Sequence, residues 1–279
     1  MPVINTNVNS IVAQNATNKS DRAMTKTMEK LATGFRINKS GDDAAGLAVS
    51  TKLTAQIRGT NQAARNVSDA IALVQTADGA AKEISAIMQR MRELAVQGAT
   101  ETYSTDDLGL MDIEYQQLEA EITRIVAQTK WNKMELLDGS GGSGGAGAFI
   151  IQVGSDNAQA VTVSIGNLDI AAGSLGCLSG LDVSTQSNAS SAITNIDGAF
   201  QALATIRADY GSYMNRLEST LNNAEVFSAN MSDANSRLLD TDYAKEMTEF
   251  AKSQIIRQAG MAMLSQANAI PNQVLQLLQ

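Results

Sequence analysis

The residues Val67, Ile71, Val74, Ala77, Ala81, Ile84, Met88, Met91 and Ala95 recur in steps of three and four. That spacing holds one apolar stripe on a helix face and requires a partner helix to cover it. Both prolines of the chain, Pro2 and Pro271, lie outside this interval, so no ring breaks the helix. A helix over 42–99 would run to about 80 Å at about 1.5 Å per residue. Leu108, Met111, Tyr115, Leu118, Ile122 and Ile125 repeat the alternation and predict a helix over 105–130 folded back antiparallel on the first. Ile193, Ile196, Phe200, Leu203, Tyr210, Met214, Leu217, Leu221 and Ala224 predict another over 188–235. Aromatic residues make up only 4% of the chain, so the seams are built from Ala, Ile, Leu, Val and Met.

The chain ends are weaker helices. Val8, Ile11, Met24, Met28 and Leu31 line one side of Asn5–Leu31, but Gln14 to Arg22 is almost wholly polar. Such a helix is marginal alone. Gly34 is a stop signal, and Ser40-Gly41-Asp42-Asp43 supplies a capping start for the long helix. After a break at Asp240-Thr241-Asp242, a last helix carries Tyr243, Met247, Phe250 and Ile255, with Pro271 near its end. The tail Val274, Leu275, Leu277 and Leu278 would be an exposed apolar patch unless a partner covers it.

Between the helices the pattern changes. Gly139 to Ala148 reads as a flexible connection. Phe149, Ile151 and Val153, then Val161, Val163 and Ile165, alternate about a turn at 154–157 and predict a β-hairpin over 148–166. The stretch 167–187 is rich in Gly, Ser and Leu without a period, and is expected to be irregular. The expected fold is mainly α: a long antiparallel helical bundle or coiled coil drawn from both chain ends, with a small β-hairpin in the middle.

Composition removes several functions. Histidine is absent, which excludes His-dependent triads, His general bases and HExxH zinc sites. Cys177 is the sole cysteine, which leaves neither disulfides nor thiolate metal sites. A net charge of −8 disfavours nucleic acid, whose affinity comes from neutralised phosphates. The N-terminus shows no basic and apolar signal peptide, and no apolar run is long enough for membrane insertion. Gly139-Ser140-Gly141-Gly142-Ser143-Gly144 formally matches a dinucleotide motif, but a helix precedes it and a strand follows, the reverse of the required order, so no cofactor is expected. The pairs Asp42-Asp43, Asp106-Asp107 and Asp240 with Asp242 stand at helix starts, where carboxylates cap amides. No nucleophile, base and oxyanion site assemble, and no enzyme is expected. One helical cluster invites a partner: with Met88, Met91 and Ala95 in the seam, Gln89, Arg90, Leu94 and Gln97 are expected to face outward.

Both ends resemble bacterial flagellin. At the N-terminus the resemblance is carried by Ile4-Asn5-Thr6-Asn7-Val8 and by Leu31-Ala32-Thr33-Gly34-Phe35-Arg36-Ile37-Asn38 running into Asp42-Asp43-Ala44-Ala45-Gly46-Leu47-Ala48. At the C-terminus it rests on Ile206-Arg207-Ala208-Asp209-Tyr210-Gly211, Asn215-Arg216-Leu217-Glu218 and Gln266-Ala267-Asn268 followed by Pro271. The resemblance implies an inner coiled-coil domain, 1–41 with 239–279, disordered until assembled, and a tube domain over 42–238 without large outer domains. It implies a structural subunit of the helical flagellar filament for motility, exported unfolded through a type III channel to an extracellular location. Implied partners are further copies of itself, hook-junction and filament-cap proteins, and an export chaperone. Ile4, Val8, Ile11, Leu31, Val274, Leu275, Leu277 and Leu278 would then make assembly, chaperone or core contacts. Gln89, Arg90, Leu94 and Gln97, with Glu114 on the next helix, match the family's site for the host flagellin-sensing Toll-like receptor, a surface that also packs between subunits. A hook-filament junction protein is the alternative reading, and an enzyme of unknown type the remote one.

Overall fold

The computed structural model describes residues 6–142, 145 and 147–276, with side chains as far as Ala269. Five helices carry most of the chain: α1 (Val8–Thr33), α2 (Ala44–Gly98), α3 (Thr105–Gln128), α4 (Gln186–Leu239) and α5 (Tyr243–Gln276). Four short strands lie between α3 and α4: β1 (Lys130–Trp131), β2 (Met134–Glu135), β3 (Ala148–Gln152) and β4 (Ala160–Ser164). The chain divides into two compact units, one built from both chain ends up to Ala55 and from Asn230 onward, the other spanning Gln56–Ala229. The divisions fall inside α2 and α4.

In the terminal unit, α1 starts on Asn7, whose side chain accepts the Ser10 N–H, and stops at Gly34 in the left-handed region, φ 77°. The helix α5 starts on Asp242, whose Oδ1 accepts the Ala244 and Lys245 amides at 3.0 and 3.2 Å. The pairings Lys30 with Glu246, Ser20 with Ser253 and Asn7 with Ala267 run in opposite directions along the two helices, which are therefore antiparallel. The start of α2 differs in detail from the sequence reading: Asp43, rather than Ser40, caps it, with Oδ1 accepting the Gly46 N–H at 2.9 Å.

The middle unit holds the principal core. Arg90 meets Glu114 and Gly98 adjoins Leu108, so α3 runs antiparallel to α2. Likewise Arg92–Asp197, Asp78–Arg207 and Asn61–Ser228 set α4 antiparallel to α2. Every α2 residue of the predicted stripe is buried except Ile71, which is half-buried against the core. The strands β3 and β4 pair antiparallel with Phe149 opposite Val163 and Ile151 opposite Val161, and the expected alternation puts Phe149, Val161 and Val163 in the core.

One reading of the middle segment is corrected and another gains detail. The Gly-rich run is a packed turn at its described positions: a Cβ on Gly141 would stand 2.2 Å from the Glu135 carbonyl oxygen, and one on Gly147, at φ +65°, 2.5 Å from that of Ile165. Glycine is there because backbone approaches backbone. The stretch 167–187 is irregular but not loose, since Leu168, Ile170, Leu175, Leu178 and Val183 are all in the core. It is tied to α3 by Gln116 donating to the Leu181 carbonyl (2.8 Å) and Asp112 accepting the Val183 N–H (2.9 Å). The β1–β2 pair was not expected. Its turn residues Asn132 and Lys133 both have positive φ, the twist that two-residue hairpins favour.

Candidate interaction surfaces

The α2–α3 surface follows from helix geometry. Ser104 caps α3 and Asp107 returns the bond, a reciprocal capping box that fixes where the helix begins. The Ser104 hydroxyl and N–H hold the Asp107 carboxyl below its ordinary range. From that start Glu114 lies beside Arg90: Nη2 stands 2.8 Å from Glu114 Oε1, and Nη1 3.1 Å from Glu93 Oε2. Hydrogen bonding to Glu114, then to Glu93, raises the already high pKa of Arg90, so the guanidinium is a permanent charge. About two helical turns beyond Arg90, Gln97 Nε2 donates to the Tyr103 hydroxyl at 3.1 Å.

Gln89, Arg90, Gln97 and Glu114 are all exposed, and the Arg90–Glu114 and Gln97–Tyr103 contacts lie along the side of α2 that meets α3. Leu94 does not join them. It is 2% exposed and lies in the core, which corrects the outward placement expected from the sequence. The cause is that α2 packs against two helices at once: a Cβ on Gly98, one turn further, would meet Ala189 of α4 at 3.3 Å and Leu108 of α3 at 3.5 Å. A helix between two partners buries a stripe wider than one seam, and the stripe takes in both Leu94 and Ala95.

The sequence reading missed two residues here. Leu110 and Ile113 are 69% and 60% exposed on α3, one turn apart. Their signal was readable: they form a second apolar row on a helix whose seam was already filled by Leu108, Met111 and Tyr115.

The second surface belongs to the paired terminal helices. Their contact is made by small and hydroxyl residues. Ser20, Thr27 and Ser253 are buried, Ser20 Oγ donates to the Ser253 carbonyl at 3.1 Å, and the Tyr243 hydroxyl donates to the Leu31 carbonyl at 3.2 Å. Met24 of α1 and Phe250 and Leu264 of α5 are half-buried beside them, but many of the larger apolar side chains are turned away. Val8, Ile11, Val12 and Met28 of α1 and Tyr243, Met247, Ile255, Ile256, Met261 and Met263 of α5 are exposed. Leu31 is half-buried. Ile4, Leu277 and Leu278 lie outside the described residues; Val274 and Leu275 fall in α5, and their side chains lie outside them too.

Adjacent helix positions differ by about 100°. Ile255 and Ile256 therefore point in different directions, and neither shares the face on which Ser253 meets α1. No described helix is long and apolar enough to cross a membrane, and no cluster of metal-ligating side chains occurs among the described residues.

The bacterial flagellin N-terminal helical region matches residues 4–141, and the bacterial flagellin C-terminal helical region matches residues 193–278. The chain is 45% identical to a flagellin of Halalkalibacterium halodurans over 91% of each chain. To the flagellar filament 31.3 kDa core protein of Treponema maltophilum it is 38% identical, over 99% of this chain and all of that one. The crystal structure of Bacillus cereus flagellin superposes with a TM-score of 0.50 at 33% identity, covering 57% of this chain and 88% of that one. Two terminal helical regions matched in order, and full-length relatives at this identity, establish that the chain belongs to the bacterial flagellin family.

Proposed function

We propose that this chain is the repeating subunit of an extracellular flagellar filament, a structural protein and not an enzyme. The observation that carries the reading is the apolar cover of the terminal unit: Met247, Ile255, Ile256 and Met263 stand in solvent around α5, on faces that α1 does not reach. One partner cannot cover such a helix, whereas copies related by a non-closing rotation bring neighbours to several sides of it. The terminal helices are then the inner coiled coil, gaining their core on assembly. Contacts to hook-junction and filament-cap proteins would use the same ends, and an export chaperone would shield them before secretion. The test is seeded growth. Purified full-length chain added to sheared filament fragments elongates them, seen by electron microscopy; a hook-junction protein would bind the ends without elongation, and that outcome would overturn the reading.

A second role is supported by a separate observation. Gln89, Arg90, Gln97 and Glu114 are all exposed in the monomer, and the Arg90–Glu114 pair fixes where the arginine stands. This surface would engage the host flagellin-sensing Toll-like receptor when subunits are free, and would be covered when they pack. Receptor-reporter cells exposed to monomer and to filament at equal mass test it: monomer signals strongly and filament weakly, and equal signals would refute the masking.

A further inference from the structure

Four of the exposed apolar side chains of the terminal unit are methionines, and filament assembly makes no use of their thioether chemistry. Met28, Met247, Met261 and Met263 are 50%, 55%, 50% and 65% exposed, whereas Met88 and Met91 in the core of the middle unit are fully buried. At 3.6 residues per turn, Met247 and Met261 fall with Tyr243 on one side of the Ser253 face of α5, and Met263 falls with Ile256 on the other. Thioethers thus stand on both flanks of the helix that meets α1. The flank residues are the ones a neighbouring copy must desolvate.

We infer that these four methionines make the free subunit a target of two-electron oxidants, and that their oxidation blocks its addition to the polymer. The inference rests on the filament reading above. With hydrogen peroxide, an S–O bond forms as the peroxide O–O bond breaks. The sulfur loses two electrons, and the second peroxide oxygen takes a proton and leaves as water. The product is methionine sulfoxide, a polar and chiral group in place of a flexible apolar one. Burying the sulfoxide oxygen against apolar neighbours without a donor is costly, so each one weakens the contact its flank makes. Once packed, the same thioethers are shielded, so the polymer resists the oxidant that disables the monomer. Sulfoxide reduction by a thiol-dependent reductase returns the thioether and reverses the block.

The experiment treats full-length monomer with limiting hydrogen peroxide, locates sulfoxides by peptide mass spectrometry, mixes treated with untreated monomer and adds filament seeds. The sulfoxide order predicted is Met28, Met247, Met261 and Met263 ahead of Met88 and Met91. Subunits oxidised at these positions are depleted from the pelleted polymer about tenfold or more, a factor equivalent to ~1.4 kcal/mol in the addition equilibrium. Treatment with methionine sulfoxide reductases restores incorporation. A variant carrying Met28→Leu, Met247→Leu, Met261→Leu and Met263→Leu elongates at the same rate with and without peroxide. Oxidised wild-type subunits entering the pellet in proportion to their share of the mixture would overturn the inference. Failure of untreated monomer to elongate the seeds would instead overturn the filament reading on which it rests. If the fourfold variant does not grow, the mixed-monomer depletion decides the matter by itself.

Discussion

Arg90 of α2 and Glu114 of α3 meet at 2.8 Å on an exposed surface, joining two helices whose core contact lies one residue row beneath them. Exposed pairs of this kind contribute little to stability, because water and salt screen them and two long side chains must be ordered. Their value is placement: the pair, with Glu93, sets where a permanent positive charge stands.

Arg90→Ala and Glu114→Gln are therefore expected to leave the thermal unfolding midpoint of the monomer unchanged while lowering receptor signalling. For Arg90→Ala the loss in a reporter-cell titration is about tenfold or more, as for a central arginine contact. Undiminished signalling by Arg90→Ala would refute the receptor assignment.

Leu94 separates stability from recognition. It is buried in the core among α2, α3 and α4, so Leu94→Ala removes packed atoms and leaves a cavity, costing about 2–5 kcal/mol. Urea unfolding of the monomer followed by circular dichroism should show the lower midpoint. A midpoint equal to wild type would place Leu94 on the surface after all.

The turn before β3 tolerates no side chain. Gly147→Ala forces a Cβ to 2.5 Å from the Ile165 carbonyl at a positive φ, so the expected loss is about 1 kcal/mol or more. The same urea titration reads it, and Gly109→Ala, where a Cβ meets open space within α3, is the matched control that should not destabilise.

Glu119 of α3, which faces Gly180, and Asp182 of the 167–187 clasp respond to pH in opposite senses. Burial, offset in part by the Gly180 N–H and reinforced by Asp112, raises the Glu119 pKa. The folded chain thus holds that proton more tightly, and the stability Glu119 adds is full below its unfolded value and lost as pH rises through its folded value. Asp182 is lowered by the Asn188 amide and then the Ser184 hydroxyl, so its contribution is present above the unfolded value and lost as pH falls through the folded one. Glu119→Gln should raise the unfolding midpoint near pH 7 and leave it unchanged near about pH 3. Asp182→Asn should lower it near neutrality and have less effect in acid. Parallel shifts at both pH values would contradict these assignments.

The long seams were legible from spacing because a helix with one main partner shows its buried face directly. Leu94 was not, because α2 is wedged between α3 and α4 and its buried stripe is wider than the seam that Met91 and Ala95 trace. The Gly-rich turn misled in a different way. Composition reports the freedom of glycine but not whether that freedom is used for motion or for the close backbone approaches found at Gly141 and Gly147. The clasp residues Leu168 to Val183 have no period because an irregular segment buries side chains one at a time. Val8 and Ile11 were readable as apolar, but their exposure in the folded chain became apparent only when α1 and α5 were seen to join through polar pairings such as Ser20–Ser253 and Lys30–Glu246.

The central claim is that the apolar side chains around the terminal helices are covered by neighbouring copies. A helical reconstruction of filaments grown from this chain tests it most directly, by the fraction of Val8, Ile11, Met28, Met247, Ile255, Ile256 and Met263 removed from solvent. The account predicts that all of them are buried against other subunits, with Arg90 and Glu114 at a contact between subunits. A polymer that leaves the α5 residues in solvent, or a chain that forms no polymer on filament seeds, would contradict it.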